Sequence, residues 1–476
     1  MQSIAPCATF DFAVSLRQLP GTPMKRAVCG FIALLLAAGP ALAQAAIQPL
    51  EKSEKQAVAS QAGERLATDY IYPDRARQAQ AKITAALAAG AYGGIDDPTA
   101  FAQRLTDDLA AVLHDKHVRV SYRGLASAGA AMARPPAPPP TNGGFAQVDR
   151  LKGNIGYIKL LNFPIPAIFS PAADSAMADI AGTDALIIDM RDNGGGSAES
   201  DSYFGNFFFD PKKPVQLNSI VHRTPSTNEF TTKEYWTIPV ASPYLNKPVY
   251  ILTSRRTFSG GEAFVYDLKA RKRAVIYGET TGGGANPGGG TMLNARFGIF
   301  IPTGRAENPV TGTNWEGTGV APDVAVDASL AFRAALRDIV SKRTGLAALK
   351  DQIAHETDVA PFVEAHLLKI RTTALPGSEA AARRNIEDLV RGTPNYALMS
   401  KDLAEATRAQ LPQLQADMRK LGPIRSITFK EVGPGGLDVY DVTMANGTIQ
   451  SGIFVSPNGT IESAWIRPGP PPAATH

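Results

Sequence analysis

The chain is organised around one segment, Val249-Tyr-Ile-Leu-Thr-Ser-Arg-Arg-Thr-Phe-Ser-Gly-Gly-Glu-Ala-Phe-Val-Tyr-Asp-Leu268. Its first four residues, 249–252, are rich in β formers and predict a buried strand. A short polar bend follows, and Ser259 stands on this bend directly before two glycines. A helical pattern opens at Glu262, because apolar residues then recur four positions apart on one face. The stretch therefore predicts a strand and a helix joined by a turn that carries Ser259.

A serine on such a turn has two possible roles. The start of a helix leaves backbone N–H groups unpaired and carries the positive end of the helix dipole, so a negative oxygen forming beside Ser259 would be stabilised there. The two glycines would also let a substrate backbone come close. Alternatively, Ser259 is only an N-cap, which is a common role for a serine before a helix. The stretch alone leaves both interpretations open.

The first 43 residues predict an N-terminal extension and a signal peptide. Met24 opens a basic start, apolar residues 31–38 follow, and Ala41-Leu42-Ala43, with a small residue at each end, forms a cleavage site, so cleavage is expected before Gln44. The apolar run is shorter than the roughly 20 residues that span a bilayer, which argues against a membrane anchor. The mature protein is therefore expected to be periplasmic or secreted.

Composition excludes several kinds of chemistry. Both cysteines, Cys7 and Cys29, lie in the segment that would be removed, so the mature chain has no thiol for a cysteine-protease mechanism. The whole chain carries a net charge of +4, and loss of the leader, with its three basic residues and one acidic residue, lowers the charge to +2. Because no basic block accompanies this charge, a dedicated nucleic-acid binder is not expected.

Residues 44–124 are expected to form a helical N-terminal domain, whose third helix opens at Asp97 and Pro98. The sequence His114-Asp-Lys-His117 follows that helix. One interpretation of the two histidines is a metal site, but no further His, Cys or paired carboxylate stands at ligand spacing, so no metal is expected. His117 alone is the better candidate for chemistry, and its alternative is a surface histidine in a turn.

Residues 125–144 are rich in alanine and proline and predict a flexible or extended linker. Residues 145–330 follow as the expected core, in which strand and helix patterns alternate and predict an α/β fold with parallel pairing. One strand ends in Arg191-Asp-Asn-Gly-Gly-Gly196. This loop lacks the spacing of nucleotide-binding glycine motifs, and its other use is to present backbone N–H groups to a carbonyl oxygen.

Two later loops complete the set of candidates. Residues 278–290 contain too many glycines for a packed element and predict a loop that faces substrate. Glu316 stands between Trp315 and Gly317, beside apolar surface and outside any helix. This carboxylate is either an ordinary loop charge or the group that holds an imidazole.

Five motifs in this order resemble the tail-specific (C-terminal processing) serine peptidases, in the branch that includes tricorn protease and the interphotoreceptor retinoid-binding protein. They are Ile155-Gly-Tyr-Ile158, residues 186–196, residues 253–262, Gly278-Glu-Thr-Thr-Gly-Gly283 and Gly319-Val-Ala-Pro-Asp323. The resemblance covers residues 50–330. It implies a crotonase-like (ClpP/crotonase-type) α/β peptidase core with Ser259 as the nucleophile.

The resemblance also implies the partners of the nucleophile. The processing-peptidase branch activates its serine with a downstream lysine, which the glycine loop of this chain lacks. The tricorn-like pattern instead implies His117 as the base, with Glu316 fixing the imidazole. This chain departs from that pattern at Lys116, where tricorn has a serine that links its histidine to the glutamate.

The same pattern implies an oxyanion hole formed by the N–H of Gly260 and one from Gly194 or Gly195. Beyond the core, residues 331–423 predict a helical segment and residues 424–470 a small antiparallel sheet. The expected function is an exported serine endopeptidase or peptidase that acts on peptides or unfolded proteins without a cofactor. The alternative is a non-catalytic protein on the same fold that binds a small hydrophobic ligand or a peptide.

Overall fold

Four sheets and ten α-helices make up the parts of the chain that a computed structural model describes, residues 50–122, 142–294, 296–433 and 436–470. The leader at 1–43 and most of the linker at 125–144 lie outside these ranges. The helices are α1 (Lys52–Asp69), α2 (Pro73–Ala88), α3 (Pro98–Leu113), α4 (Pro166–Ile180), α5 (Ala198–Gly205), α6 (Gly260–Ala270), α7 (Ala331–Ser341), α8 (Ala347–His355), α9 (Ser378–Arg391) and α10 (Lys401–Leu421). The strands are β1 (Arg119–Tyr122), β2 (Phe145–Leu151), β3 (Ile155–Leu160), β4 (Ala185–Asp189), β5 (Gln216–Arg223), β6 (Phe230–Trp236), β7 (Val249–Thr253), β8 (Val275–Gly278), β9 (Gly288–Met292), β10 (Phe297–Pro302), β11 (Gly304–Glu307), β12 (Val324–Ala325), β13 (Val363–His366), β14 (Ile424–Val432), β15 (Asp438–Met444), β16 (Gly447–Val455) and β17 (Ile461–Pro468).

A seven-stranded sheet with the strand order β12-β8-β7-β4-β3-β2-β13 forms the centre. The strands from β3 to β12 along this order pair in parallel, whereas β2 and β13 are antiparallel additions at one edge. Every residue of β4 and β7 is buried, because α4, α5 and α6 cover one face of the sheet and α7 and α8 cover the other. The predicted α/β class with parallel pairing is confirmed.

The carboxyl ends of β4, β7 and β8 lie at the same edge of this sheet, because parallel strands point the same way. Three loops therefore meet there: the glycine-rich loop after β4, the turn before α6 and the glycine loop after β8. The Phe258 N–H donates to the Asn193 carbonyl (3.0 Å), and the Gly282 N–H donates to the Thr257 carbonyl (2.9 Å). These bonds fix the turn that carries Ser259 between the two glycine loops.

The N-terminal helices are attached to the core through β1. This strand pairs antiparallel with β10, with Arg119 opposite Phe300. Residues of α1, α2 and α3 share a hydrophobic cluster with Val120 of β1 and with Phe297 and Ile299 of β10. The segment between α3 and β1, which contains His117, is thereby held against the core.

Near the C-terminus, α9 and α10 pack on the antiparallel sheet β14-β15-β16-β17, and both the helices and the four strands agree with the sequence patterns. Residues 331–423 were expected to be helical, and this expectation was wrong at Val363–His366, where β13 forms and pairs with the edge strand β2. The hairpin of β5 and β6, which pairs with β11, was also missed. Within the described ranges, no helix combines the length and apolarity needed to span a membrane.

Candidate active site

Ser259 occupies a strained turn between β7 and α6. Its backbone angles are φ 55° and ψ −125°, a region that residues with a Cβ rarely adopt. Glycine would fit this turn without strain, yet the position holds a serine whose hydroxyl faces another side chain. A strained residue of this kind is a candidate for function.

The partner of the Ser259 hydroxyl is His117. The distance from His117 Nε2 to Ser259 Oγ is 3.1 Å, and the His117 side chain is only 8% exposed. The imidazole packs between Phe258 and Phe300, with ring centroids 4.6 Å and 5.8 Å away. The two aromatic rings restrict the movement of the imidazole. Nε2 can accept the serine proton when Nδ1 carries the ring hydrogen.

Asp115 is the carboxylate that the sequence analysis missed. Its side chain is buried, and Oδ1 accepts the backbone N–H of His117 at 3.0 Å and lies 3.7 Å from His117 Nδ1. Its Oδ2 accepts from the Tyr70 hydroxyl (3.1 Å) and from the Asn286 amide (2.8 Å). Burial by itself would raise the pKa of Asp115, but the hydrogen bonds from His117 and Asn286 and the nearby imidazole keep it below its usual value, so the anionic form is favoured beside the ring. Its position two residues before His117 was the available signal.

Glu316 lies on the other side of this cluster. Its Oε2 accepts the N–H of Ala285 at 2.6 Å, whereas its buried Oε1, like the buried Nδ1 of His117, has no hydrogen-bond partner among the described residues. Burial, together with the negative charge of Asp115, raises the pKa of Glu316 to about 7.

One ligand atom from each of Asp115, His117 and Glu316 lies within 4.8 Å of the others, so the three side chains could hold a metal ion. His114 is not part of this group.

Lys116 does not connect His117 to Glu316. Its Nζ donates to the carbonyl oxygen of Gly282 at 2.5 Å. The serine link of the tricorn pattern therefore has no counterpart at this position, and Nδ1 of His117 faces two carboxylates at longer range. A small movement of the ring or of Glu316 would allow the hydrogen bond that orients the imidazole.

The N–H groups of Gly194 and Gly195, expected in an oxyanion hole, are already used. Gly194 donates to the Leu161 carbonyl (3.1 Å), and Gly195 donates to Asn193 Oδ1 (2.8 Å). Within the described parts of the chain, the N–H groups of Gly196 and Gly260 donate to no protein atom, and a Cβ on Gly260 would lie 3.3 Å from the Gly196 nitrogen. Gly260 therefore remains a candidate donor for the oxyanion hole, and Gly196 becomes the second candidate in place of Gly194 and Gly195.

Glu262 joins the nucleophile turn to the glycine loop after β8. This residue, in the first turn of α6, is fully buried. Its Oε2 accepts from the N–H groups of Ser259 (2.9 Å) and Gly284 (2.8 Å), and its Oε1 accepts from the Gly283 N–H (2.6 Å) and the Thr281 hydroxyl. The pattern of a serine followed three positions later by glutamate is the signature of a capping box, and this signal was available in the sequence.

Replacing Glu262 with glutamine is expected to destabilise the protein by about 2 kcal/mol or more, because an amide nitrogen would face two donors that a carboxylate oxygen now accepts. Chemical denaturation would measure the change in the free energy of unfolding. Glu307, whose side chain is 44% exposed and pairs with Arg305, provides the control, and Glu307→Gln should cost less than about 0.5 kcal/mol. Equal losses in both variants would contradict a structural role for Glu262.

Replacing Glu316 with glutamine is expected to change stability in a pH-dependent manner. The folded-state pKa of Glu316, about 7, lies above its ordinary value of 4.5, so the fold favours the protonated form. The wild-type protein should therefore lose stability relative to Glu316→Gln as pH rises from about 4.5 to above 7. Melting temperatures of both proteins across this range would test the trend, and a wild-type protein that gains stability relative to Glu316→Gln as pH rises would contradict it.

Comparison with known proteins identifies the family. Residues 154–326 match the model of peptidase family S41, and residues 38–144 match the model described as the N-terminal domain of peptidase S41 in eukaryotic IRBP. The chain belongs to peptidase family S41. The S41 match includes Ser259 and the loops around it, and the N-terminal match includes His117, so the resemblance recognised in the sequence is confirmed.

Two curated relatives are similar to part of this chain at low sequence identity. Over 176 residues, the chain is 30% identical to carboxyl-terminal-processing peptidase 2, chloroplastic, of Arabidopsis thaliana, with 36% of this chain and 31% of the relative covered. Over 178 residues, it is 26% identical to C-terminal processing peptidase, chloroplastic, of Tetradesmus obliquus, with coverages of 37% and 36%. The chain thus spans about a third of each relative. Among solved structures, a photosystem II D1 C-terminal processing protease aligns with 58% of this chain and 94% of its own, at 17% identity and a TM-score of 0.38.

Proposed function

We propose that this S41 protein is a serine peptidase in which Ser259 is the nucleophile and His117 the general base. The observation that carries the proposal is the 3.1 Å contact between His117 Nε2 and Ser259 Oγ, made by residues 142 positions apart in the chain. An N-cap role alone would not require a buried imidazole against the hydroxyl or the positive φ of Ser259. Membership of the S41 family points to the same chemistry.

In the proposed reaction, Ser259 Oγ attacks the carbonyl carbon of a peptide bond while its proton moves to His117 Nε2. The carbonyl oxygen becomes negative and accepts hydrogen bonds from the N–H groups of Gly260 and Gly196, at the positive end of α6. The imidazolium then gives its proton to the departing amine, and the C–N bond breaks. A water molecule, deprotonated by His117, releases the acyl group from Ser259 in the same way.

The two carboxylates have different roles in this proposal. Asp115 is held by three donors and supplies a fixed negative charge that stabilises the imidazolium. Glu316, whose Oε1 has no partner in the described structure, is the acceptor that reaches Nδ1 when the ring becomes charged. An anion close to an imidazolium lowers the energy of the charged state in a buried site.

The proposal extends to the whole chain. Residues 145–330 form the crotonase-like peptidase core, residues 44–124 the N-terminal domain that supplies the base, and residues 331–423 and 424–470 two C-terminal parts joined to the core. The substrate is a peptide or an unfolded protein, and the leader at 1–43 directs the chain to the periplasm or outside the cell. Neither a metal nor an organic cofactor enters the proposed mechanism.

A fluorophosphonate probe and a peptide digest test this function directly. The probe should react with the folded chain, and trypsin should release the modification on the peptide Thr257–Lys269, which contains Ser259. In a separate digest, the unlabelled chain should cleave an unfolded model protein. A folded chain that neither reacts nor cleaves would favour the alternative function, binding of a peptide or small hydrophobic ligand on the same fold.

A further inference from the structure

A small cavity of about 40 Å³ opens directly beside Ser259. It is bounded near the nucleophile by Gly196 and Gly260, the two glycines whose N–H groups have no acceptor in the described structure. Most of its remaining wall is apolar. The principal wall residues are Ile220, Ala263, Ala285, Ala306, Pro287 and Trp315.

One side chain in the cavity wall has a buried polar atom without a hydrogen-bond partner among the described residues. Asp201, in α5, lines it and is only 2% exposed. Its Oδ1 receives a long hydrogen bond from the Ser202 hydroxyl at 3.4 Å, and its buried Oδ2 has no hydrogen-bond partner among the described residues. A Cβ on Gly260 would lie 2.9 Å from that Oδ2. A buried polar atom left without a partner is costly, and its presence in a cavity wall requires an explanation.

The surroundings of Asp201 favour the neutral form of its carboxyl group. Burial, and then the nearby charge of Asp267, raise the pKa of Asp201 well above its ordinary value. Asp267 is itself buried, and it accepts hydrogen bonds from the Asn218 amide (2.6 Å) and the Asn308 amide (2.9 Å). A neutral carboxyl group can both donate and accept one hydrogen bond. It therefore suits an uncharged hydroxyl better than a cation.

Geometry also indicates which part of a substrate reaches the cavity. If the carbonyl oxygen of the bond to be cleaved accepts hydrogen bonds from the N–H groups of Gly196 and Gly260, the side chain of the substrate residue that carries this carbonyl is directed to the adjacent cavity. His117, which must reach the departing amine, is not among the residues that line it. Since a water molecule needs roughly 10–15 Å³ measured in this way, the space suits a side chain of only a few heavy atoms.

We propose that Asp201 is a specificity-determining residue, which selects a small hydroxyl-bearing residue, threonine or serine, immediately before the cleaved bond. This inference rests on the proposed peptidase function and adds a substrate class to it. Threonine and valine have nearly the same shape. A comparison of the two therefore measures the effect of the hydrogen bond separately from the effect of side-chain size. A larger side chain, such as leucine or phenylalanine, does not fit the cavity.

The test uses paired peptides that differ only by threonine or valine before the cleaved bond. The wild-type protein should cleave the threonine peptide with about tenfold higher kcat/KM, the effect of one buried hydrogen bond. Asp201→Leu should remove or reverse this preference, and Asp201→Asn, which keeps a polar group, should retain part of it. Labelling by fluorophosphonate verifies that each variant has an intact site.

A second measurement separates this inference from the peptidase proposal. The Ser259→Ala variant cannot turn over, so its affinity for product peptides ending in threonine or valine reports on the cavity alone. Tighter binding of the threonine peptide, lost when Asp201→Leu is added, would support the selection even if the chain cleaves nothing. Equal binding of both peptides, or preference for valine or a larger residue, would overturn it whatever the labelling experiment gives.

Discussion

Replacing Ser259 with alanine is expected to lower peptide hydrolysis by about 10⁵-fold or more, because no other group can form the acyl intermediate at this turn. The loss should appear in kcat and should also abolish fluorophosphonate labelling. Stability should change by less than about 1 kcal/mol, because the Glu262 N–H at the start of α6 keeps the Ser259 carbonyl as its acceptor (2.8 Å) when the hydroxyl is lost. Turnover measured on a purified, folded variant decides the point. Retained hydrolysis would remove Ser259 from the mechanism.

Ser400 provides the control for the interpretation of Ser259 as a simple helix cap. Its hydroxyl accepts from the Leu403 N–H at the start of α10 (3.4 Å), which is the ordinary role of a serine at an N-terminus. Ser400→Ala should therefore cost about 1 kcal/mol of stability and leave turnover unchanged. Ser259→Gly should be more stable than Ser259→Ala by about 1 kcal/mol, since glycine tolerates the positive φ, while both remain inactive.

Replacing His117 with alanine is expected to reduce kcat by about 10³- to 10⁵-fold, because Ser259 would lose the group that accepts its proton. The substitution also leaves a gap between Phe258 and Phe300 in which free imidazole could bind. Partial recovery of turnover on addition of imidazole would separate loss of the base from a general disturbance of the site. Steady-state kinetics with and without imidazole, together with a melting curve, are the required measurements.

The neighbouring His114 is the matched control for His117. It is exposed and ends α3 in the left-handed conformation, with φ 53°. Asparagine tolerates this conformation, so His114→Asn should leave turnover within about twofold of the wild type, a difference below about 0.5 kcal/mol. A mild effect of His117→Ala, similar to that of the control, would point to a different base.

Local patterns in the sequence account for most of the core fold. The buried runs that became β3, β4 and β7 have the apolar composition of strands covered on both faces, and Asp97 with Pro98 marked the start of α3, where Asp97 accepts the Ala100 N–H. The prediction of a helical segment at residues 331–423 failed at β13. A short segment of mixed polarity adopts a strand there because the open edge of β2 offers backbone partners, and tertiary pairing of this kind outweighs local preference.

The candidate site, like the fold, was predicted only in part from local sequence patterns. Local sequence was enough to predict the turn around Ser259, the family and the candidate residues His117 and Glu316, because a turn, a cap and a motif are made by residues close together in the chain. The packing of the folded chain was needed to show that Asp115 is the carboxylate nearest to the imidazole and that Gly196, not Gly194 or Gly195, has the N–H without an acceptor in the described structure. Hydrogen-bond partners far apart in sequence are selected by how strands and helices pack, as when the pairing of β1 with β10 holds His117 against Ser259, and no local pattern records that choice.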